Sequence, residues 1–191
     1  MLHKQYYRCT IEDMLNFTYL AEAATPLFFP LVAAIGAAIH SRSGRTRLSR
    51  AEIWFRWWAV AALGGGSLRM TVSFLTIPET MTEMIGFQNT PFVTEIAFAN
   101  LGLAVLGIRA VHAAYRERVT IGLGAGMFLW GATLGHLYQW IANGDTAPGN
   151  IGAVLIYDVL LPVLLIVLAM QSRKQERQPA DRSDASPVQV S

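Results

Sequence analysis

Six polar side chains stand inside otherwise apolar stretches of this 191-residue chain. Two are carboxylates, one is an arginine, one is a histidine and two are amides. Such a set can exchange protons or hold the polar group of a ligand. An ionised carboxylate at the centre of a membrane helix costs roughly 2.5 kcal/mol or more, so we expect partner groups to face it. The six residues are Arg69, Glu95, Asn100, His136, Gln139 and Asp158.

The sequence indicates a role for each of these residues, and two alternatives to those roles. One carboxylate would be the base, His136 the proton carrier and Arg69 the charge partner, while the two amides would orient the ligand. The first alternative is a buried ion-pair network that only fixes helix packing. The second is a metal site, but Arg69 opposes a cation and no paired-histidine spacing is present. We therefore expect no metal, and the pattern specifies no cofactor and no reaction.

Composition places these residues in a membrane protein. The chain is 53% hydrophobic and only 15% charged, whereas about 25% charged residues are usual in a soluble domain. A single cysteine, Cys9, excludes an intrachain disulfide and a thiolate metal cluster. The arginines cluster at the ends of apolar segments, which argues against a nucleic-acid partner.

Five apolar segments are long enough to cross a bilayer. We predict a first helix that begins near Ile11 and is kinked at Pro26 and Pro30. A version with four spans results if that segment lies on the membrane. The predicted division is an N-terminal polar or interfacial segment (1–19), a helical bundle (20–172) and a disordered tail (173–191). The spans are about residues 20–39, 53–75, 92–115, 119–142 and 151–170.

The loop charges predict the orientation of the bundle. Residues 41–50, 109–118 and 173–177 are rich in arginine and lysine, and the segments 76–91 and 143–150 contain neither. Positive loops stay in the cytoplasm. The prediction is an all-α bundle of about five transmembrane helices with the N-terminus outside and the C-terminus inside, multi-pass in a bacterial inner membrane.

This topology assigns each polar residue a depth. All six candidates fall in the external half of the bundle, which predicts a shared polar pocket there. Four glycines of the fourth span form two small-xxx-small pairs, which favour tight helix packing. These glycines are Gly122, Gly126, Gly131 and Gly135.

The ordered set of Glu95 and Asn100, then Gly135-His136, then a segment ending at Asp158 resembles a family of small bacterial integral-membrane proteins of unknown function. This resemblance covers roughly spans two to five, and it implies a compact helical bundle with a buried polar set. A looser resemblance exists to the DoxX-like membrane proteins, some of which associate with quinone-linked oxidoreductases. The looser resemblance is an analogy at the level of the fold.

Two functions fit these observations. In the first, the external pocket binds a small lipophilic molecule with a polar head, such as a quinone or a lipid, and acts on it or only holds it. In the second, the chain is a non-catalytic membrane subunit or assembly factor whose polar cluster is structural. The expected partners are the lipid bilayer and that small molecule in the first case, and a membrane subunit or another copy of the chain in the second.

Overall fold

A computed structural model describes residues 17–43 and 48–183. Every regular element in these ranges is helical. A 3-10 turn, Thr25–Leu27, joins the first two helices, and a π-helical segment, Trp58–Gly65, joins the third and fourth. The helices are α1 (Phe17–Ala24), α2 (Phe28–Arg42), α3 (Arg50–Trp57), α4 (Gly66–Thr76), α5 (Pro78–Met84), α6 (Phe92–Ala110), α7 (Tyr115–Asn143), α8 (Pro148–Ile151) and α9 (Val154–Ser183).

Three helical stretches of the described chain are long and apolar enough to cross a membrane. They are Phe17–Arg42, Phe92–Ala110 and Pro148–Arg173. A fourth span results if Arg50–Thr76 and Pro78–Met84, which meet at a bend of 115°, form one broken span. The predicted fourth span, α7, is long enough but not among them. The structure thus supports a membrane protein with three or four spans, while the count of five and the orientation stay predictions.

Local sequence explains several helix boundaries. The 3-10 turn between α1 and α2 contains Pro26, at the predicted kink. Ser49 caps α3, because its side chain accepts a hydrogen bond from the Glu52 backbone N–H. Gly144 ends α7 in the left-handed conformation, with φ +68°. The predicted start near Ile11 lies outside the described residues. At the other end, α9 continues to Ser183, past the predicted start of the disordered tail.

The helix ends gather into two groups. At one end of the bundle, Arg118 contacts Glu52, and the Arg173 guanidinium lies 4.4 Å from the centre of the Tyr115 ring. At the other end, the segment after α7 contacts α1, because the Ala153 N–H donates to the Ala23 carbonyl. The first group includes the described residues of the arginine-rich turns, and the second includes the turns without lysine or arginine. This grouping agrees with the predicted sorting of the loops.

The buried apolar residues form two clusters. The larger one joins the π-helical segment to α3, α6, α7 and α9, and includes Leu63, Leu161 and Leu165. The smaller one lies where α4, α5 and α6 meet, and includes Phe74 and Val93. This division places the main hydrophobic core in the half of the bundle that contains the arginine-rich turns, and leaves a gap between the two clusters.

Glycine allows α6 to pack directly on the π-helical segment. A Cβ on Gly107 would lie 2.5 Å from the backbone nitrogen of Gly64 and 2.6 Å from the carbonyl oxygen of Ala59. Any larger residue would therefore collide with main-chain atoms. The hydroxyl of Tyr157, on α9, donates a 2.7 Å hydrogen bond to the Ala62 carbonyl of the same segment. These contacts fix the π-helical segment between α6 and α9.

Candidate functional site

A cavity of about 570 Å³ lies between the two apolar clusters. Its walls come from α1 to α9, α3 excepted, and from the 3-10 turn. Most of the lining is apolar, including Phe29, Phe74 and Phe128. This size and character are typical of sites that bind small organic molecules.

Four of the six predicted site residues line this cavity. Arg69 comes from α4, Asn100 from α6, His136 from α7 and Asp158 from α9. Four separate helices thus contribute a polar group to one space. Asn100 and Asp158 are buried, while Arg69 and His136 are partly buried. These four residues, which were predicted to share a depth, therefore line one cavity.

Glu95 does not belong to this set, so the prediction was wrong for this residue. It is exposed in the first turn of α6 and does not line the cavity. Glu95 and Asn100 are five residues apart, which places them about 140° apart around a helix. Because Asn100 faces the cavity, Glu95 faces away. A carboxylate in the first turn is also favoured by the helix dipole.

Gln139 also lies outside the cavity lining. Its side chain accepts a hydrogen bond from the Asn143 amide, one turn later on α7. The predicted pairing of Gln139 with the other polar residues was therefore wrong. It helps to order the C-terminal end of α7, where its carbonyl also accepts from the Asp145 N–H.

The polar groups of the cavity do not satisfy one another. Arg69 forms no ion pair with any residue that the structure describes, and its Nη2 lies 3.6 Å from the sulfur of Met70. Asp158 is 4% exposed, and within residues 17–43 and 48–183 no group donates a hydrogen bond to its carboxylate. Asn100 donates to the Ile96 carbonyl of its own helix. The expected neutralisation of Arg69 by Glu95 or Asp158 is therefore absent from the described chain. The four side chains face an open space instead of forming a packed network.

His136 is held by an amide and not by a carboxylate. Its Nδ1 lies 2.7 Å from Oδ1 of Asn150, a residue with no exposed surface. The amide nitrogen of Asn150 donates to the carbonyl oxygens of Asp145 (3.0 Å) and His136 (3.4 Å). These bonds fix the amide with its oxygen toward the ring. Neutral His136 must then carry its proton on Nδ1, which leaves a lone pair on Nε2.

A buried aspartate closes the loop that holds Asn150. The Oδ1 atom of Asp145 accepts a 3.0 Å hydrogen bond from the Ala147 N–H, a local turn typical of aspartate. Gly86, with φ +73°, packs against this carboxylate, where a Cβ would lie only 2.3 Å from its oxygens. Burial raises the pKa of Asp145, and the hydrogen bond from the Ala147 N–H acts in the opposite direction. The loop after α5 is thereby joined to the loop after α7.

Replacing Asn150 by leucine tests this support. We expect a loss of about 1–3 kcal/mol in the free energy of unfolding, because His136 and the Asp145 carbonyl lose buried partners. We also expect the ¹⁵N signals of the His136 imidazole to lose the pattern of a ring protonated on Nδ1. A purely structural role of Asn150 would not require this change. Asn143→Leu is the matched control, since within the described residues the Asn143 amide hydrogen-bonds only to Gln139, on its own helix. Unchanged imidazole signals in Asn150→Leu would contradict the assignment.

Three further residues around the cavity were not among the predicted site residues. Glu22 of α1 and Tyr157 of α9 line it, and Asn150 supports it from behind. Tyr157 directly precedes Asp158 in the chain. Asn150 lies 14 residues after His136, across a turn, so no helical spacing could have linked the two.

The glycines of α7 divide into two pairs with different surroundings. A Cβ on Gly122 would meet Ile166, and one on Gly126 would meet Trp130 and Pro162, so this pair packs tightly as predicted. A Cβ on Gly131 or Gly135 would meet nothing within 4 Å. The predicted packing role was therefore wrong for the second pair, which lines the cavity instead.

No three histidine, cysteine, aspartate or glutamate side chains in the described ranges lie close enough together to hold a metal ion. The alternative of a site formed by His136, Glu95 and Asp158 also conflicts with the exposed position of Glu95. The geometry thus gives no support to that alternative.

Comparison with known proteins gives one match. A family model described as a family of unknown function (DUF6790) matches residues 23–178. No curated protein and no solved structure matches the chain significantly. The looser resemblance to the DoxX-like proteins has no counterpart in these comparisons and stays a prediction.

Proposed function

Because the chain belongs to this family of unknown function, we propose a function from its own structure: it binds a lipophilic small molecule with a polar head group. The observation that carries this proposal is the cavity between the two apolar clusters, with Arg69, Asn100, His136 and Asp158 in its walls. The apolar lining suits a hydrocarbon chain or ring. The polar groups without mutual contacts suit a head group that provides what they lack.

The chemistry of these polar side chains indicates which groups the head of the ligand contains. Arg69 donates hydrogen bonds and favours an acceptor or an anion. Asp158 and Nε2 of neutral His136 accept hydrogen bonds, so they favour a hydroxyl or another donor. A head with both kinds of group, such as a quinone–quinol ring or the hydroxyl and phosphate groups of a lipid, matches the set. Leaving a buried carboxylate without a donor is costly, so a bound ligand would stabilise the protein.

Two carboxylates provide a matched test of this proposal. Asp158→Asn replaces the carboxyl group inside the cavity by an amide, and Glu95→Gln makes the same chemical change on the exposed face of α6. The probe is a benzoquinol with a decyl tail, titrated against purified protein in phosphatidylcholine nanodiscs. We expect Asp158→Asn to weaken binding about tenfold or more, since a hydrogen bond to a charged group contributes about 1.5–3 kcal/mol. Glu95→Gln should bind like the wild type.

The same preparations separate this proposal from the second candidate. Saturable binding that is lost in Asp158→Asn supports a ligand site, as does a lipophilic molecule that co-purifies with the wild type and not with the variant. Equal binding by both variants, or none by the wild type, would refute the ligand site. A stoichiometric protein partner recovered with both variants would then favour a non-catalytic subunit. Thermal unfolding of each variant shows whether it is folded.

A further inference from the structure

We infer that the cavity opens sideways into the bilayer between α6 and α7, and that the apolar tail of the ligand lies in this opening. The inference rests on the proposed function and adds the route by which the ligand arrives. Three residues of α7 both line the cavity and are exposed: Met127, Gly131 and Gly135. Met127 is 72% exposed.

Their spacing forms a continuous edge. The three residues are four positions apart, so they follow one another along one side of α7. Neither Gly131 nor Gly135 has a neighbour that a Cβ would meet within 4 Å. The edge runs about 12 Å along the helix at 1.5 Å per residue, which is wide enough for a hydrocarbon chain.

Helix packing explains why the gap exists. The long helix α7 packs mainly against α9, whereas α6 packs mainly against α4 and the π-helical segment. The two helices are joined by the short turn of residues 111–114, and Arg109 pairs with Glu117 beside it, with 3.0 Å between Nε and Oε1. The two helices have few contacts with each other compared with the contacts that each makes elsewhere. A cleft between them therefore leads outward from the cavity.

The chemistry of the edge selects its occupant. The residues of α7 that line the cavity from 127 to 135 are methionine, phenylalanine, leucine, glycine and alanine, without a charge. Leu134, on the outer face of the same turn, is 69% exposed, as expected for a surface in contact with lipid. Inside the opening, Asp158 is buried, has no hydrogen-bond donor among the described residues, and lines the same space. An apolar exit that leads to an unsatisfied polar group fits an amphiphile with its head inside and its tail in the bilayer.

A matched pair of glycines on α7 tests the opening. Gly131→Leu places a side chain in the opening. Gly124→Leu adds the same group to the same helix at an exposed site where a Cβ would also meet nothing, but which does not line the cavity. The probe is again the decyl benzoquinol in phosphatidylcholine nanodiscs, with its association rate followed by protein fluorescence. We expect Gly131→Leu to slow association about tenfold, equivalent to 1.4 kcal/mol in the barrier, and Gly124→Leu to leave it unchanged.

The outcomes separate the opening from the proposed function. If the wild type binds the probe and Gly131→Leu associates as fast as Gly124→Leu, the lateral opening is refuted while the ligand site stands. If the wild type does not bind the probe, the ligand site itself fails. A benzoquinol without a tail should associate at the same rate with both variants. If Gly131→Leu slowed the association of this probe as well, the assignment of the opening to the tail would be overturned. A dimer that dissociates in Gly131→Leu would show that a second copy covers this edge, which also overturns the inference.

Discussion

Replacing Glu52 by leucine should lower the free energy of unfolding by about 3–5 kcal/mol, the largest effect that we expect from a single change. Glu52 and Arg118 are 5% and 8% exposed. The two terminal nitrogens of the Arg118 guanidinium each donate a hydrogen bond to one carboxylate oxygen of Glu52. The guanidinium also lies 4.6 Å from the centre of the Phe55 ring and donates to the Val111 carbonyl. Without Glu52, a buried positive charge would keep only these weaker contacts.

Two controls separate the lost ion pair from a general effect of substitution. The double variant Glu52→Leu/Arg118→Met should recover most of the loss, because the buried Arg118 charge is then absent. Arg56, the other ion-pair partner of Glu52, has a side chain that is 36% exposed and can be solvated. Glu117→Leu removes an ion pair with Arg109 whose side chains are 40% and 53% exposed, and should cost only about 0–1 kcal/mol. Chemical unfolding in detergent micelles measures all three. A double variant no more stable than Glu52→Leu would contradict the explanation.

Gly107→Ala should destabilise the protein by about 3 kcal/mol, at the upper end of the cost of overpacking a core. The added methyl would come within 2.6 Å of two main-chain atoms of the π-helical segment, which cannot rotate away as a side chain can. The helix α6 must therefore move outward, and Asn100 moves with it. We expect weaker binding of the decyl benzoquinol in addition to the lower stability.

The control for this change is Gly102→Ala in the same helix. Gly102 is exposed, and a Cβ there would meet nothing within 4 Å. Alanine should be neutral or stabilising at this position by up to about 1 kcal/mol, because it favours the helix over glycine. Thermal unfolding in detergent compares the two variants. Equal stability of both variants would show that α6 does not pack closely on the π-helical segment.

The position of each polar residue along its helix could be predicted from sequence, but the direction in which its side chain points could not. Hydropathy and loop charge place Glu95 and Asn100 in the same half of α6. Whether a residue faces a cavity or the outside depends on the angle at which the helix packs. On α6, the buried residues Val93, Ala97 and Asn100 define the inner face, and Glu95 is not part of it. Periodicity is weak in a helix with apolar residues on all sides, because lipid and core select the same residue types.

The support of His136 was beyond prediction for another reason. Asn150 follows the C-terminal end of α7 in a loop, and its contact with His136 depends on the path of residues 144–149. That path is determined by the left-handed Gly144, by the turn at Asp145 and by the packing of Gly149 against Met84. Turn residues signal that a loop exists. They do not specify which side chain returns to the preceding helix.

The π-helical segment also affects the residues that follow it in the chain. A helix with i to i+5 hydrogen bonds winds more slowly per residue than an α-helix, so every position that follows it is rotated relative to the uninterrupted spiral. Arg69 and Ser67 begin α4 just after Gly65, and both line the cavity. The direction in which Arg69 points around the helix axis is therefore determined by the winding of the π-helical segment before it. That apolar segment packs between Gly107 and Tyr157.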